Sequence, residues 1–134
     1  MKHTLLFLLM ICACTLQATA TGKQPRLTDD ELMTLVQKQT FRYFWDFAHP
    51  ESGLARERSN DRLEIATIGG SGFGVMAIIV GVERGFITRE QGAERLLKIV
   101  EFLNKADSYH GIWAHWMDGA TGKTIPFSRK DDGA

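Results

Sequence analysis

Apolar residues fall into several differently patterned blocks along the chain. Residues Leu5 to Leu16 form an apolar run behind Lys2 and His3, too short to span a bilayer comfortably, and Ala18-Thr19-Ala20 follows with the small residues a signal peptidase accepts. This predicts a cleaved export signal over residues 1–20, cut after Ala20. Ile11-Cys12-Ala13-Cys14 also approximates a lipobox, so lipidation at Cys14 stays open as the alternative. Residues 21–27 are polar, contain Pro25 and read as a linker. Thr28 with Glu31 forms the sequence of a capping box, and Asp29 and Asp30 suit the positive end of a helix dipole. Leu32, Leu35, Val36, Gln39, Tyr43 and Phe47, widened by Phe41, Phe44 and Trp45, then predict an amphipathic helix to about Ala48, stopped before Pro50. The aromatic cluster reads mainly as core, with Tyr43 and Trp45 the members expected to reach a cleft.

Between Pro50 and Gly70 the pattern becomes polar and charged, with Glu51, Arg56, Glu57, Arg58, Asp61 and Arg62. A loop of that length reads either as a solvated face or as a substrate-binding loop. The glycines of Gly69-Gly70-Ser71-Gly72-Phe73-Gly74 lack the Lys-Ser/Thr of a phosphate-binding loop, and no strand is predicted before them. They read as the close-packed entry to a helix that Ser71 caps. Val75 to Val82 is apolar on every side, which predicts an interior helix over about Phe73 to Val82, closed by Gly85. The next helix, capped by Thr88 with Gln91, is one-sided: Ala93, Leu96, Leu97, Val100 and Leu103 on one stripe, Glu94, Arg95, Lys98 and Glu101 outside. An inner helix joined to an outer one is the unit of an α/α toroid. In that fold the loop Pro50 to Gly70 and the stretch His110 to Ala134 come to the same rim.

The last stretch carries the chemistry. Ile112 to Met117 and Lys123 to Phe127 flank Asp118-Gly119-Ala120-Thr121-Gly122, which predicts a β-hairpin with Pro126 on an edge. Trp113, Trp116, His115, Asp118, Arg129, Asp131 and Asp132 combine flat aromatic faces with carboxylates. Rings stack on the C–H faces of pyranoses, and carboxylates accept hydroxyl hydrogen bonds or move protons. The spacing of His110, His115 and Asp118 matches no familiar metal site, and no metal is expected. Asp131 and Asp132 read either as cleft acids or as caps of a following helix.

Composition adds exclusions. Sixteen basic and sixteen acidic residues cancel, leaving no electrostatic case for nucleic acid, and both cysteines lie in the leader, leaving no disulfide framework or thiolate nucleophile in the body. At 134 residues the chain holds at most one small domain.

The stretches FRYFWDFAHPESGLARERSN, TIGGSGFGVMAIIVGVERGFIT and HWMDGATGKTIPFSRKDDGA together resemble the N-terminal part of the bacterial glycoamylase-like family, which includes endo-β-1,2-glucanases. The resemblance implies an all-α (α/α)6 barrel of which residues 28–134 form an N-terminal portion. It also implies glycoside hydrolysis of a glucan, expected to be β-1,2-glucan, without a cofactor; the leader implies export to the periplasm or beyond, or lipid anchoring at the outer membrane, and the complete protein is expected to be a monomer. In the family Asp-Asp-Gly-Ala is followed by Asp-x-x-Glu, so the main catalytic acids are expected beyond Ala134. Asp131 is the implied cleft carboxylate, with Trp116, His115, Arg129, Trp113, Asp132 and Arg58 as substrate-binding neighbours. A non-catalytic exported glucan-binding module stacking sugars on Trp113 and Trp116 is the alternative.

Overall fold

The computed structural model describes residues 26–60 and 62–130; the expectations resting on Cys14, Ala20, Asp131 and Asp132 lie outside the described residues. The chain divides into two compact units, residues 1–31 and 32–134. In the first, the described part is a helix start. Thr28 N–H donates to Glu31 Oε2 at 2.8 Å and Glu31 N–H to Thr28 Oγ1 at 3.3 Å, the reciprocal box that the sequence predicts.

The described chain is mostly helical, with α1 (Asp29–Trp45), α2 (Ile68–Glu83) and α3 (Arg89–Leu103). Between and after them lie four short strands, β1 (Ile65–Thr67), β2 (Ser108–Tyr109), β3 (Ile112–Trp113) and β4 (Trp116–Asp118), in two antiparallel pairs. This is the expected all-α class with a hairpin-like loop. Phe41, Leu54, Ala66, Ile78, Ile87, Ile99 and Met117 form the core.

Helix α1 packs through the aromatic part of the predicted face: Phe41, Tyr43, Phe44, Trp45 and, just past the helix, Phe47 are covered, joined by Thr34, Gln37 and Ala48, whereas Leu32, Leu35, Val36 and Gln39 of that face are exposed. The cause lies on α2. A Cβ at Gly81 would sit 2.4 Å from the Phe41 ring, and one at Gly74 would sit 3.3 Å from the Phe44 ring. Glycines thus admit flat rings where an aliphatic row would leave gaps.

Helix α2 begins at Ile68, so Gly69, Gly70 and Gly72 belong to its first turns instead of to a loop. Its N-cap is Thr67, and Ser71 is not a cap as predicted. Buried one turn inside, Ser71 donates to Thr67 O at 2.6 Å and accepts Ala55 N–H at 3.0 Å, tying the preceding loop to the helix. At the other end Phe86 N–H reaches Gly81 O and Gly85 N–H reaches Val82 O, with Gly85 at φ +69, a Schellman closure at the predicted glycine. The helix is not buried on every side: Phe73, Met76, Ile79 and Val80 are exposed.

Helix α3 has its predicted capping box, Thr88 with Gln91. Its packed row runs Gly92, Leu96, Ile99 and Leu103, while Leu97 and Val100 of the predicted stripe face outward. Gly92 sets that rotation, since a Cβ there would lie 2.8 Å from Val82. Among the described residues no helix is long and apolar enough to cross a membrane.

Candidate functional site

The loop after α1 and the segment after α3 meet through β1 and β4. These pair antiparallel with Ile65 opposite Asp118, Ala66 opposite Met117 and Thr67 opposite Trp116. On the free side of β1, Glu57 N–H donates to Ile65 O at 2.9 Å and Thr67 N–H to Ala55 O at 3.0 Å. On the far side of β4, Asp118 N–H donates to Lys123 O at 2.8 Å and Ile125 N–H to Trp116 O at 3.0 Å. Four extended segments therefore lie side by side, in the order 55–57, β1, β4, 123–125.

This arrangement refines the predicted hairpin. The limb 116–118 does return along 123–125 around the glycine turn, but Ile112 and Trp113 belong to a separate tight hairpin. They pair with Tyr109 and Ser108 around His110 and Gly111, both at positive φ. Strand β1 is new relative to the sequence reading, which took the whole stretch as loop.

The turn is held at two points. Asp118 Oδ1 accepts Thr121 N–H at 2.7 Å, Thr121 Oγ1–H at 2.8 Å and Ala120 N–H at 3.1 Å, and the Thr121 bonds foremost hold its carboxyl below the ordinary value. Beneath Gly119 lies His49, buried, its ring so close that a Cβ on Gly119 would come within 2.5 Å. His49 Nδ1 accepts Glu51 N–H, so Nε2 carries the proton and donates to Glu64 Oε2 at 3.0 Å, while Gly119 N–H donates to Glu64 O at 2.7 Å. One imidazole thus fixes the end of α1, the charged loop and the turn together.

On this frame three rings gather. Trp116 meets Phe127 edge to face at 4.4 Å, His115 meets Phe127 at 5.4 Å, and His115 lies 6.2 Å from Trp116. Trp116 is half-buried while His115 and Phe127 are exposed, so the cluster offers ring surface to solvent. Beyond β1, Glu57 forms a two-point ion pair with Arg58, through Arg58 Nε to Oε2 and through Nη2 to Oε1 at 2.7 Å. The Arg58 bond first, then the charges of Arg58, Arg62 and His115, holds the Glu57 carboxyl below the usual carboxylate range. Tyr43 OH donates to Arg56 O at 2.9 Å; burial, then the Glu57 charge, pushes its hydroxyl up. The Arg56 guanidinium lies 4.9 Å over the Phe47 ring.

Of the residues picked from sequence, His115 and Trp116 come together, while Arg58, paired with Glu57, lies just past the 55–57 edge on the other side of β1. Arg129 is exposed on the segment after Phe127. Trp113 is elsewhere: on the separate hairpin, half-buried against the core, with Nε1–H donating to Leu103 O at 3.1 Å. Trp45 likewise packs inside, between Phe41 and the Arg95 guanidinium 4.2 Å over its ring. Phe127 and Glu57 were missed. The signals were present, an aromatic following the edge proline and an acid two residues before a Ser-Asn turn, but neither is specific without the partner strand. Among the described residues no three His, Cys, Asp or Glu side chains are grouped to hold a metal ion.

No protein-family model matches the chain. Over 108 residues, 80% of its length, it is 54% identical to the exo β-1,2-glucooligosaccharide sophorohydrolase (non-reducing end) of Parabacteroides distasonis. A Bacteroides uniformis structure provisionally termed a glucoamylase is 81% identical, with a TM-score of 0.80 over 83% of the chain. The endo-β-1,2-glucanase of Chitinophaga pinensis, in complex with sophorotriose and glucose, is 53% identical, with a TM-score of 0.77 over 81% of the chain. The resemblance to the glycoamylase-like glycoside hydrolases is borne out. The chain spans 15% of the sophorohydrolase, and 27% and 28% of the two solved structures, so it shares the sequence and fold of one region of each.

Proposed function

We propose that this glycoamylase-like chain supplies one wall of a glucan-binding cleft in an exported glycoside hydrolase acting on β-1,2-glucan. The observation that carries this reading is the cluster of Trp116, Phe127 and His115 rings on one side of β1 with the Glu57–Arg58 pair on the other. They lie in a region about half identical to enzymes of β-1,2-glucans. Rings bind the C–H faces of glucosyl units, and the charged pair binds hydroxyls. Arg129, exposed past Phe127, extends that polar lining, and Asp131 is the residue this reading assigns as the cleft carboxylate. Hydrolysis itself requires a protonated acid at the leaving oxygen and a second carboxylate that activates water or attacks the sugar. In this reading both come from a complete (α/α)6 barrel, whose further helices cover the exposed rows of α1 and α2. The leader over residues 1–20 directs export, with release after Ala20 or lipid anchoring at Cys14 as its two outcomes.

Incubating the full-length protein with β-1,2-glucan and, separately, with an α-1,4-glucan tests the reading. New reducing ends from the β-1,2-glucan alone are expected. Binding to β-1,2-glucan with no release of reducing ends would remove the hydrolase and leave a binding module.

A further inference from the structure

The charged loop between α1 and β1 contains one side chain that its solvated-face reading does not accommodate. The Glu57 side chain is 16% exposed although it sits in a run of charges, while its partner Arg58 is 44% exposed. Its backbone is fixed by the bond from Glu57 N–H to Ile65 O, so the carboxylate is carried by an ordered edge. Arg58 occupies one position on each carboxylate oxygen. An ionised carboxyl has about four acceptor sites, so lone pairs remain for another donor. Tyr43 OH is bonded to the preceding residue's carbonyl, Arg56 O, and the Arg58 bond foremost favours the ionised form of Glu57.

Neighbouring strands lie about 4.8 Å apart, so the 55–57 edge is roughly 10 Å from β4, on the opposite side of β1 from the aromatic cluster. That separation is wider than one pyranose. A glucan running across β1 would place one glucosyl unit at Trp116 and Phe127 and its neighbour toward Glu57. Resting on the glucan reading above, we propose that Glu57, oriented by Arg58, is a glucan-binding carboxylate that accepts hydroxyl hydrogen bonds from a sugar unit next to the one held by the rings. The ion pair serves to aim the acceptor; a fixed, ionised acceptor binds a hydroxyl more strongly than a neutral one.

The test uses the full-length protein and β-1,2-linked glucotriose. Glu57→Gln keeps the shape of the side chain but replaces an ionised acceptor oxygen with a donor. KM is expected to rise at least about tenfold, the loss of a charge-assisted hydrogen bond, with kcat within about twofold. Arg58→Lys, which keeps the charge and loses the fork, is expected to give a smaller rise in KM. The thermal midpoint of both variants should stay within a few degrees of wild type. An unchanged KM in Glu57→Gln overturns the proposal, as does a fall in kcat accompanied by a lowered midpoint, which would make the pair structural. Wild-type protein that neither binds nor cleaves the trisaccharide overturns the glucan reading and this proposal with it.

Discussion

Asp118 illustrates how a residue can be read correctly as important and wrongly as to why. In sequence it belongs to a group of acids and aromatics suited to sugar binding, but its Oδ1 is engaged by Thr121 and Ala120, and it closes the turn. Asp118→Ala in the full-length protein should lower stability by about 1 kcal/mol, the net value of such bonds near the surface, read as a shift of the denaturant midpoint. The pH dependence follows from the direction of its titration. A carboxyl that titrates lower in the folded chain than in the unfolded one stabilises fully above the unfolded value, and the contribution disappears as pH falls through the folded one. The gap between wild type and variant is therefore expected to be full near neutrality and to close in acid, below about pH 4. His49 and Gly119 show the opposite case. Nothing in HPESG or DGATG says that an imidazole will lie under that glycine, because the contact joins residues seventy positions apart and carries no local pattern.

Helix ends were legible where their determinants are local. Both capping boxes, the Gly85 closure and the turn at Asp118 to Gly122 are written within a few residues of where they act. Helix faces were less so, because the side a helix packs depends on what its neighbour offers. For α1 that is the glycine row of α2, which receives the predicted aromatics Phe41 and Phe44 and leaves the predicted Leu35 uncovered. Gly81→Ala is accordingly expected to cost about 1–3 kcal/mol by overpacking against Phe41, despite the better helix propensity of alanine. A chemical-denaturation series on the full-length protein checks this. A neutral or stabilising effect would mean that α1 can shift away without loss. Strand β1 was illegible for a related reason: three residues in a charged loop show no period, and the partner that makes them a strand lies some fifty residues on.

The inner and outer helix pair expected of a toroid is present, but its inner member is covered on one side only. Phe73 is 73% exposed and Met76, Ile79 and Val80 lie beside it, while Leu32, Met33, Leu35 and Val36 line the uncovered side of α1. Rows of this size on a soluble protein mark an interface or an aggregation hazard. The core among the described residues is one small cluster of buried side chains, and domains of about this length are marginal even when their apolar faces are fully used. A polypeptide of residues 21–134 alone is therefore expected to show no cooperative thermal transition and to bind an apolar dye, whereas the full-length protein melts sharply and binds little. The difference would come from burial of those rows, so replacing Phe73, Met76 and Ile79 by polar residues should reduce dye binding by the short polypeptide while destabilising the long one. A sharp transition in the short polypeptide would show that its own core suffices, and the exposed rows would then need some other occupant than further helices of a barrel.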